Sequence, residues 1–311
     1  MGRRRTRFRS DALDSAGLVR ELDRLADIKR VEGRIPIAGF VALVDRFVDE
    51  KRAERKVLWE KEELIRKNYS SFTPQERVEF LSILYDRFAE RYDEHMHETG
   101  HYNAIRRVML FAMPFIRPPI MDLSAGTGEP LLYSLELMEY FEQLQNGPLR
   151  SMFPKIPYPK TGLDCTAHAN EVSPKMLERA KAKLDRGGMA FSSHDAYRMP
   201  SRLMGGFNTV LCSQTFHIIA DEDKPRMAHA IKDALAPGGV AIVIEEDPFL
   251  ISQSDAIDAV GLFLRAIVRP VRMERLVGQI GAVGLVRLNE TATAPIDEHH
   301  IMRLHLFMKP E

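Results

Sequence analysis

The stretch MDLSAGTGEP, residues 121–130, follows a short apolar run and decides how this chain is read. Its order of apolar strand, glycine turn and helix start places Asp122, Gly126, Gly128 and Glu129 at one loop. Two glycines one residue apart let the backbone turn sharply and keep side chains away from a bound ligand. A dinucleotide fingerprint would place a third glycine three residues after the second, but that position is Leu131. Glu129, at the start of the helix, is expected to repel a phosphate seated on the helix N-terminus. The loop therefore favours a ligand that carries positive charge and no phosphate.

The rest of the chain sets the frame for that loop. It has 311 residues, 45% of them hydrophobic, enough for one large domain and an appendage. Lys+Arg and Asp+Glu are both 44, which predicts neither a nucleic-acid partner nor an anionic membrane surface. Residues 1–70 hold 18 basic against 13 acidic side chains, so the remainder is net acidic. With only Cys165 and Cys212, a disulfide framework and a cysteine zinc site are excluded and a reducing compartment is expected. No apolar run reaches the roughly 18 residues of a membrane span, because Val260–Val268 is broken by Arg265. The basic start, with Arg3, Arg4, Arg5, Arg7 and Arg9, has no apolar segment after it to make a secretory signal; it reads as a solvated tail. These features place the protein in the cytoplasm.

Residues 1–75 read as a charged helical appendage. Leu18, Leu22 and Leu25 recur at helical spacing, and Phe40, Leu43, Val44 and Phe47 form a second apolar stripe. Thr73-Pro74-Gln75-Glu76 is a capping box with proline at the first helical position. The helix it starts has an apolar face of Phe80, Leu81, Leu84 and Phe88. From residue 119 short apolar runs alternate with helical patterns, as a parallel sheet with crossover helices requires. Five strands are predicted at Ile120–Ser124, Cys165–Glu171, Ala190–Ser193, Thr209–Cys212 and Val240–Glu245. The helices between them include Pro130–Leu144, Pro174–Leu184 and Lys224–Leu235, the last stopped by Pro237-Gly238-Gly239. Leu285–Ala294 and Ile301–Met308 read as an antiparallel pair at the sheet edge.

The expected fold is α/β: a Rossmann-like, doubly wound, mostly parallel sheet with an antiparallel C-terminal strand pair and an N-terminal helical appendage. Its domains are 1–75 and 76–311. The proline-rich crossover 147–162 reads as a surface insertion, or as a lid or oligomer contact using Met152, Phe153 and Tyr158, which leaves a homodimer open.

In such a sheet ligands bind outside the carboxyl ends of the strands, where four segments converge. They are Asp122 to Glu129, with Ser124 in the loop; Glu171 and Val172; His194, Asp195 and Ala196; and Ser213 through His217. A carboxylate at Glu171 accepts from ribose hydroxyls, and Asp195 from an adenine amino group. S-adenosylmethionine combines a sulfonium, an ammonium, a ribose and an adenine without phosphate, and fits all four.

The segments DLSAGTGEP, EVSPKMLERAKAKL, HDAYRMP, FNTVLCSQTFHII and LAPGGVAIVIEED, in this order, resemble class I S-adenosylmethionine-dependent methyltransferases over about residues 85–245. The chain is most similar to the branch that includes ubiquinone- and menaquinone-type and other small-molecule methyltransferases, whose members often carry a YDxxAxxYD segment before the glycine loop. Here that segment is Tyr85 to Asp93. The resemblance implies that Asp122, Gly126 and Gly128 hold the methionine part of the cofactor, Glu171 the ribose and Asp195 the adenine, with Tyr85 and Tyr92 covering it. The long spacing from Gly128 to Glu171 keeps Asp164 as an alternative ribose acid. Asn208 stands where the family often has aspartate, and residues 1–75 match nothing in the common core.

Methyl transfer from a sulfonium is an in-line displacement, so the protein must align a nucleophile and exclude water. For a hydroxyl or an acidic carbon a base is needed, and His217 is the first candidate, ahead of Glu246 and Asp247. The expected acceptor is a small, partly apolar molecule under the N-terminal helices and residues 249–277. No Asn/Asp-Pro-Pro-aromatic sequence follows the fourth strand, and neither cysteine follows a proline, which marks down adenine, glutamine and cytosine C5 methylation. His95, His97 and His101 are read as a polar helix face, a substrate contact or a metal site. A non-catalytic S-adenosylmethionine-binding or partner-docking module, and a protein or RNA methyltransferase, are the alternatives; an NAD-linked oxidoreductase is more distant.

Overall fold

A computed structural model describes residues 15–51, 61–148, 150–152, 161–247, 259–268 and 273–311. The Arg3 to Arg9 run, Phe153, Tyr158 and the start of the 249–277 segment lie outside the described residues. Described helices are α1 Ser15–Glu32, α2 Ile37–Lys51, α3 Glu62–Ser70, α4 Pro74–Glu98, α5 His101–Ala112, α6 Glu129–Asn146, α7 Pro174–Lys183, α8 Lys224–Ala234, α9 Ala259–Ile267 and α10 Met273–Ala282. The strands are β1 Ile120–Asp122, β2 Ala167–Asn170, β3 Met189–Ser192, β4 Phe207–Ser213, β5 Leu235–Asp247, β6 Val286–Pro295 and β7 Ile301–Met308.

The chain divides into two compact units. One holds the residues up to Phe80 with 252–266, and the other holds 81–251 with 267–311. The division falls inside α4, and the first unit takes back a segment from far along the chain.

The first unit is helical. The predicted stripes Leu18, Leu22 and Leu25, and Phe40, Leu43, Val44 and Phe47, are buried. Phe40 meets Phe72 edge-on at 5.3 Å, and Phe80 meets Phe263 at 4.9 Å, so α9 supplies core that local periodicity does not announce. The capping box forms: the Thr73 amide donates to Glu76 Oε2 at 2.7 Å and the Glu76 amide to Thr73 Oγ1 at 3.3 Å. The Ile35 amide also donates to Glu76 Oε1 at 2.5 Å, which ties the α1–α2 connection to the start of α4.

The second unit is built on a seven-stranded sheet of order β3-β2-β1-β4-β5-β7-β6. β1 to β5 run parallel, and β7 lies antiparallel to both β5 and β6. This is the expected doubly wound, mostly parallel Rossmann-like sheet with an antiparallel C-terminal pair. Every residue of β4 is buried, as a central strand covered on both faces requires. The strand order reverses between β1 and β4, and the crevice at that switch point is where open α/β sheets bind ligands.

One local expectation is corrected. Pro237-Gly238-Gly239 does not separate α8 from a strand at Val240, because β5 already begins at Leu235. The register shifts between Phe207 and Thr209 opposite it, so the three residues form an irregularity inside the strand. Gly238 takes φ +71°, and its amide donates to the Lys309 carbonyl at 2.9 Å, which keeps the strand paired through the bend. The helix stops at Ala234, as the Pro237-Gly238-Gly239 signal requires; pairing with Phe207 and Lys309 only moves the strand start ahead of Val240.

Candidate cofactor and catalytic site

At the switch point the carboxyl ends of β1 and β4 open onto a cleft. Its lining includes Tyr92, Tyr102, Ser124, Gly126, Ser213 and Gln214. Asp122 closes β1 and is completely buried. Its Oδ1 accepts from the Ser124 amide at 3.3 Å, while Oδ2 has no hydrogen-bond partner among the described residues. Burial raises the Asp122 carboxyl to about 7, opposed by the Ser124 amide and reinforced by the charge of Glu171.

Glu171 follows β2 and is also buried. It accepts from the Gly126 amide at 2.9 Å through Oε2 and from the Ser173 amide at 2.8 Å through Oε1. Burial pushes its carboxyl up, and those backbone donors only partly offset the effect. Asp164, the alternative ribose acid, lies ahead of β2 on the exposed amino side of that strand, away from the ligand end.

The two glycines divide their work. Gly126 takes φ +54°, and a Cβ there would meet only Tyr92 Cε1, at 3.9 Å. Its open face therefore looks toward the cleft. Gly128 takes φ +84°, but a Cβ there would lie 2.8 Å from Leu184 Cδ1 and 3.3 Å from the Ala180 Cβ. Gly128 thus lets α6 approach α7, and its bare face is not ligand-facing.

Glu129 is the second correction. Its carboxylate is paired with Arg106 and, at 3.1 Å, with Lys183. The charge expected to repel a phosphate is neutralised, so the preference for a cation rests on Asp122 and Glu171, neither of which is paired with a cation among the described residues.

The remaining predicted residues are distributed over the other three loops and helix α4. The Val172 carbonyl accepts from Ser82 Oγ at 3.0 Å. Asp195 Oδ1 caps the single helical turn starting at Ala196 by accepting from the Tyr197 amide at 2.9 Å. Ser213 closes β4 with a buried Oγ that has no hydrogen-bond partner among the described residues. Gln214 after it adopts φ +53°, a strained conformation for a residue with a side chain, of the kind concentrated at functional turns. Tyr85 and Tyr92 meet edge-on at 6.3 Å, and burial followed by the Glu171, Asp93 and Asp122 charges pushes the Tyr92 hydroxyl pKa up.

His217 is buried, with Nδ1 2.9 Å from Glu245 Oε2. Glu245 Oε1 accepts from the Thr215 and Phe216 amides, both at 2.7 Å. This pair organises the loop after β4. On the neighbouring residue of β5, Glu246 Oε2 stands 3.2 Å from His101 Nε2, and His101 Nδ1 lies 2.7 Å from Thr99 Oγ1. His95 stacks against Phe88 at 5.4 Å and His97 against Tyr102 at 4.9 Å, so the three histidines do not converge. Among the described residues no group of three metal-ligating side chains could hold an ion.

Asn170, absent from the sequence expectations, ties three loops together. Its Nδ2 donates to the Leu123 and His194 carbonyls at 3.1 and 3.0 Å, and its Oδ1 accepts from the His194 amide at 3.0 Å. A polar amide at the carboxyl end of a buried strand was the available signal.

Comparison with known proteins gives one family match. Residues 157–239 match the model of a methyltransferase domain, a stretch running from ahead of β2 into β5. No curated protein matches the sequence. Among solved structures the chain is similar to a chain in the complex of the Haloferax volcanii Trm112 methyltransferase activator with a methyltransferase, at 14% identity and TM-score 0.46, covering 73% of this chain and 98% of that one. It is similar to an S-adenosylmethionine-dependent methyltransferase from Mesorhizobium loti, at 16% identity and TM-score 0.44, covering 64% and 95%. It is also similar to human N-acetylserotonin methyltransferase, at 14% identity and TM-score 0.44, covering 77% and 57%.

Proposed function

We propose that this chain is an S-adenosylmethionine-dependent methyltransferase acting on a small-molecule acceptor. The observation that carries the reading is the pair of buried carboxylates beside the glycine loop, Asp122 and Glu171, with no cation to balance them among the described residues. A ligand bearing ammonium and sulfonium charge supplies what this pair lacks, and a ribose adds hydroxyl donors for the Glu171 carboxylate. The buried Ser213 Oγ and Asp122 Oδ2 give a polar ligand a hydroxyl and an acceptor to complete. The cofactor supplies an activated methyl group; Tyr92 over Gly126 shields the site from water, and the loop after β4 orients the acceptor. The methyltransferase-domain match over 157–239 supports the same chemistry.

His217 is the proposed base. The Glu245 carboxylate accepts a hydrogen bond from Nδ1–H, which leaves Nε2 as the ring nitrogen that takes a proton. A base is needed for a hydroxyl or acidic carbon acceptor, which makes these the favoured nucleophiles. The ubiquinone- and menaquinone-type branch, a homodimer and a cytoplasmic location belong to this reading as proposals.

Calorimetric titration of the full chain with S-adenosylmethionine, S-adenosylhomocysteine and NADH tests the assignment. Saturable binding of the first two, lost in Asp122→Ala, is expected. Tight binding of NADH alone, or unchanged affinity in that variant, would overturn it.

A further inference from the structure

Helix α4 runs past the ligand end of the sheet, and three of its polar side chains fall on one stripe. Ser82, Asp86 and Asp93 are spaced by four and seven residues, which brings them to the same face of an α-helix. Each is spent on a different part of the loops around the cleft. Ser82 Oγ donates to the Val172 carbonyl at 3.0 Å. Asp86 Oδ1 accepts from Ser173 Oγ at 2.6 Å and from the Lys175 amide at 3.0 Å, capping α7 from outside. Asp93 Oδ1 accepts from Thr127 Oγ1, from the Tyr102 hydroxyl at 2.6 Å and from Lys183 Nζ at 3.1 Å.

The same helix carries Tyr92, whose ring faces Gly126. One helix therefore holds the glycine loop at Thr127 and the acid loop at Val172 to Lys175, and carries the ring that faces Gly126. Resting on the S-adenosylmethionine reading of this cleft, we propose that Asp93 and Asp86 are positioning residues that set cofactor affinity without touching the cofactor. Asp93 does so by fixing Thr127 between Gly126 and Gly128, and Asp86 by fixing Ser173 beside Glu171.

Asp93 is suited to that role. It is half-buried, and although burial opposes ionisation, the donors Thr127, Tyr102 and Lys183 hold its carboxyl below the usual range. It stays charged across the physiological range, so the strut to the glycine loop is a charge-assisted hydrogen bond. Lys183 Nζ also reaches Thr127 Oγ1 at 3.2 Å, which leaves the threonine hydroxyl one orientation that satisfies both neighbours. A Tyr hydroxyl, a Thr hydroxyl and an ammonium sharing one carboxylate form a network whose members do not act additively.

The test measures S-adenosylhomocysteine affinity by calorimetry on the full chain, alongside thermal unfolding. Asp93→Asn keeps an acceptor oxygen but removes the charge behind the Thr127, Tyr102 and Lys183 hydrogen bonds, and is expected to weaken binding by about tenfold or more. Thr127→Ser, which keeps the hydroxyl, stays within about twofold, and Thr127→Val matches Asp93→Asn. The double variant binds no more weakly than either single one, a coupling that a general loss of stability would not produce. Should Asp93→Asn fail to fold, Thr127→Val breaks the same link and carries the comparison with Asp86→Asn, for which the same direction is expected. Folded Asp93→Asn or Thr127→Val with wild-type affinity overturns the proposal. A wild-type chain that binds no S-adenosylhomocysteine overturns the cofactor reading itself, and this proposal with it.

Discussion

The Gly126 amide donates to Glu171 Oε2 at 2.9 Å, so the acid after β2 is also the strut of the loop after β1. The other carboxylate oxygen accepts from the Ser173 amide at 2.8 Å, which leaves Glu171 needing two acceptors at fixed positions. The geometry of the glycine loop and of the turn after β2 is thereby carried by one side chain.

Glu171→Gln keeps the shape but turns an NH2 group toward one of those two amides. A buried donor facing a donor costs about 1–3 kcal/mol. Lower thermal stability together with at least tenfold weaker S-adenosylmethionine binding is expected from calorimetry. Wild-type values for both would show that the amides do not depend on the carboxylate.

On the proposed reading, Asp122, raised to about 7, makes cofactor affinity depend on pH. In the free protein the group is protonated below about 7, and a cationic ligand favours the carboxylate, so binding lowers its pKa and releases a proton. Affinity therefore climbs as pH rises toward about 7 and flattens above it, by at most tenfold per pH unit. Asp122→Asn removes that climb, and proton release measured by calorimetry in buffers of different ionisation enthalpy reads it directly.

Gly126→Ala and Gly128→Ala should fail differently. At Gly128 the new methyl lies 2.8 Å from Leu184, and overpacking of this kind costs about 1–3 kcal/mol of stability. At Gly126 the methyl meets only Tyr92 and enters the cleft, so affinity falls more than melting temperature does. Equal effects of the two on both readouts would contradict the division of roles.

Glu76 stabilises the helical unit through its ionised form. Burial raises its pKa, but amide donation from Ile35 and Thr73, the Thr73 hydroxyl and Lys29 lower it further, and the net shift is downward. A depressed acid contributes stability above its unfolded pKa of about 4.3 that is lost as pH falls through the folded value. Glu76→Gln is expected to speed amide hydrogen exchange at Ile35 and Thr73 at neutral pH, and the gap from wild type should close in acid.

Two imidazole–carboxylate pairs border the end of β5, His217 with Glu245 and His101 with Glu246. If His217 is the base, His217→Asn lowers turnover by about a hundredfold or more with cofactor affinity unchanged, while His101→Asn has little effect. Release of S-adenosylhomocysteine against a panel of phenols and hydroxylated metabolites measures both, and the reverse pattern moves the base to His101.

The parts legible in the sequence were those set by local spacing. Short apolar runs located the strands, with the start of β5 the exception, and glycines before a helix start located the loop at Gly126. The capping box at Thr73 and Glu76 needed only four consecutive residues, and it formed. Glu171 and Asp195 stood out because an acid that follows a strand lies at the ligand end of a parallel sheet.

What only the tertiary structure decided were partnerships between residues far apart in the chain. Glu129 looked like an unopposed charge until Arg106 and Lys183 closed on it from α5 and α7. Gly128 looked ligand-facing until Leu184 occupied the space beside it. Asp86 and Asp93 were visible in the sequence as part of a tyrosine-flanked segment, but the loops they hold lie 34 to 89 residues away. The strand β7 between β5 and β6, and the pairing of Lys309 with Gly238 that drew Pro237 into a strand, depend on the C-terminus folding back. Residue type and periodicity specify what a segment can form and which groups it offers. Which groups meet is decided by packing and by the requirement that buried polar atoms find partners, and both act across distances that no local pattern encodes.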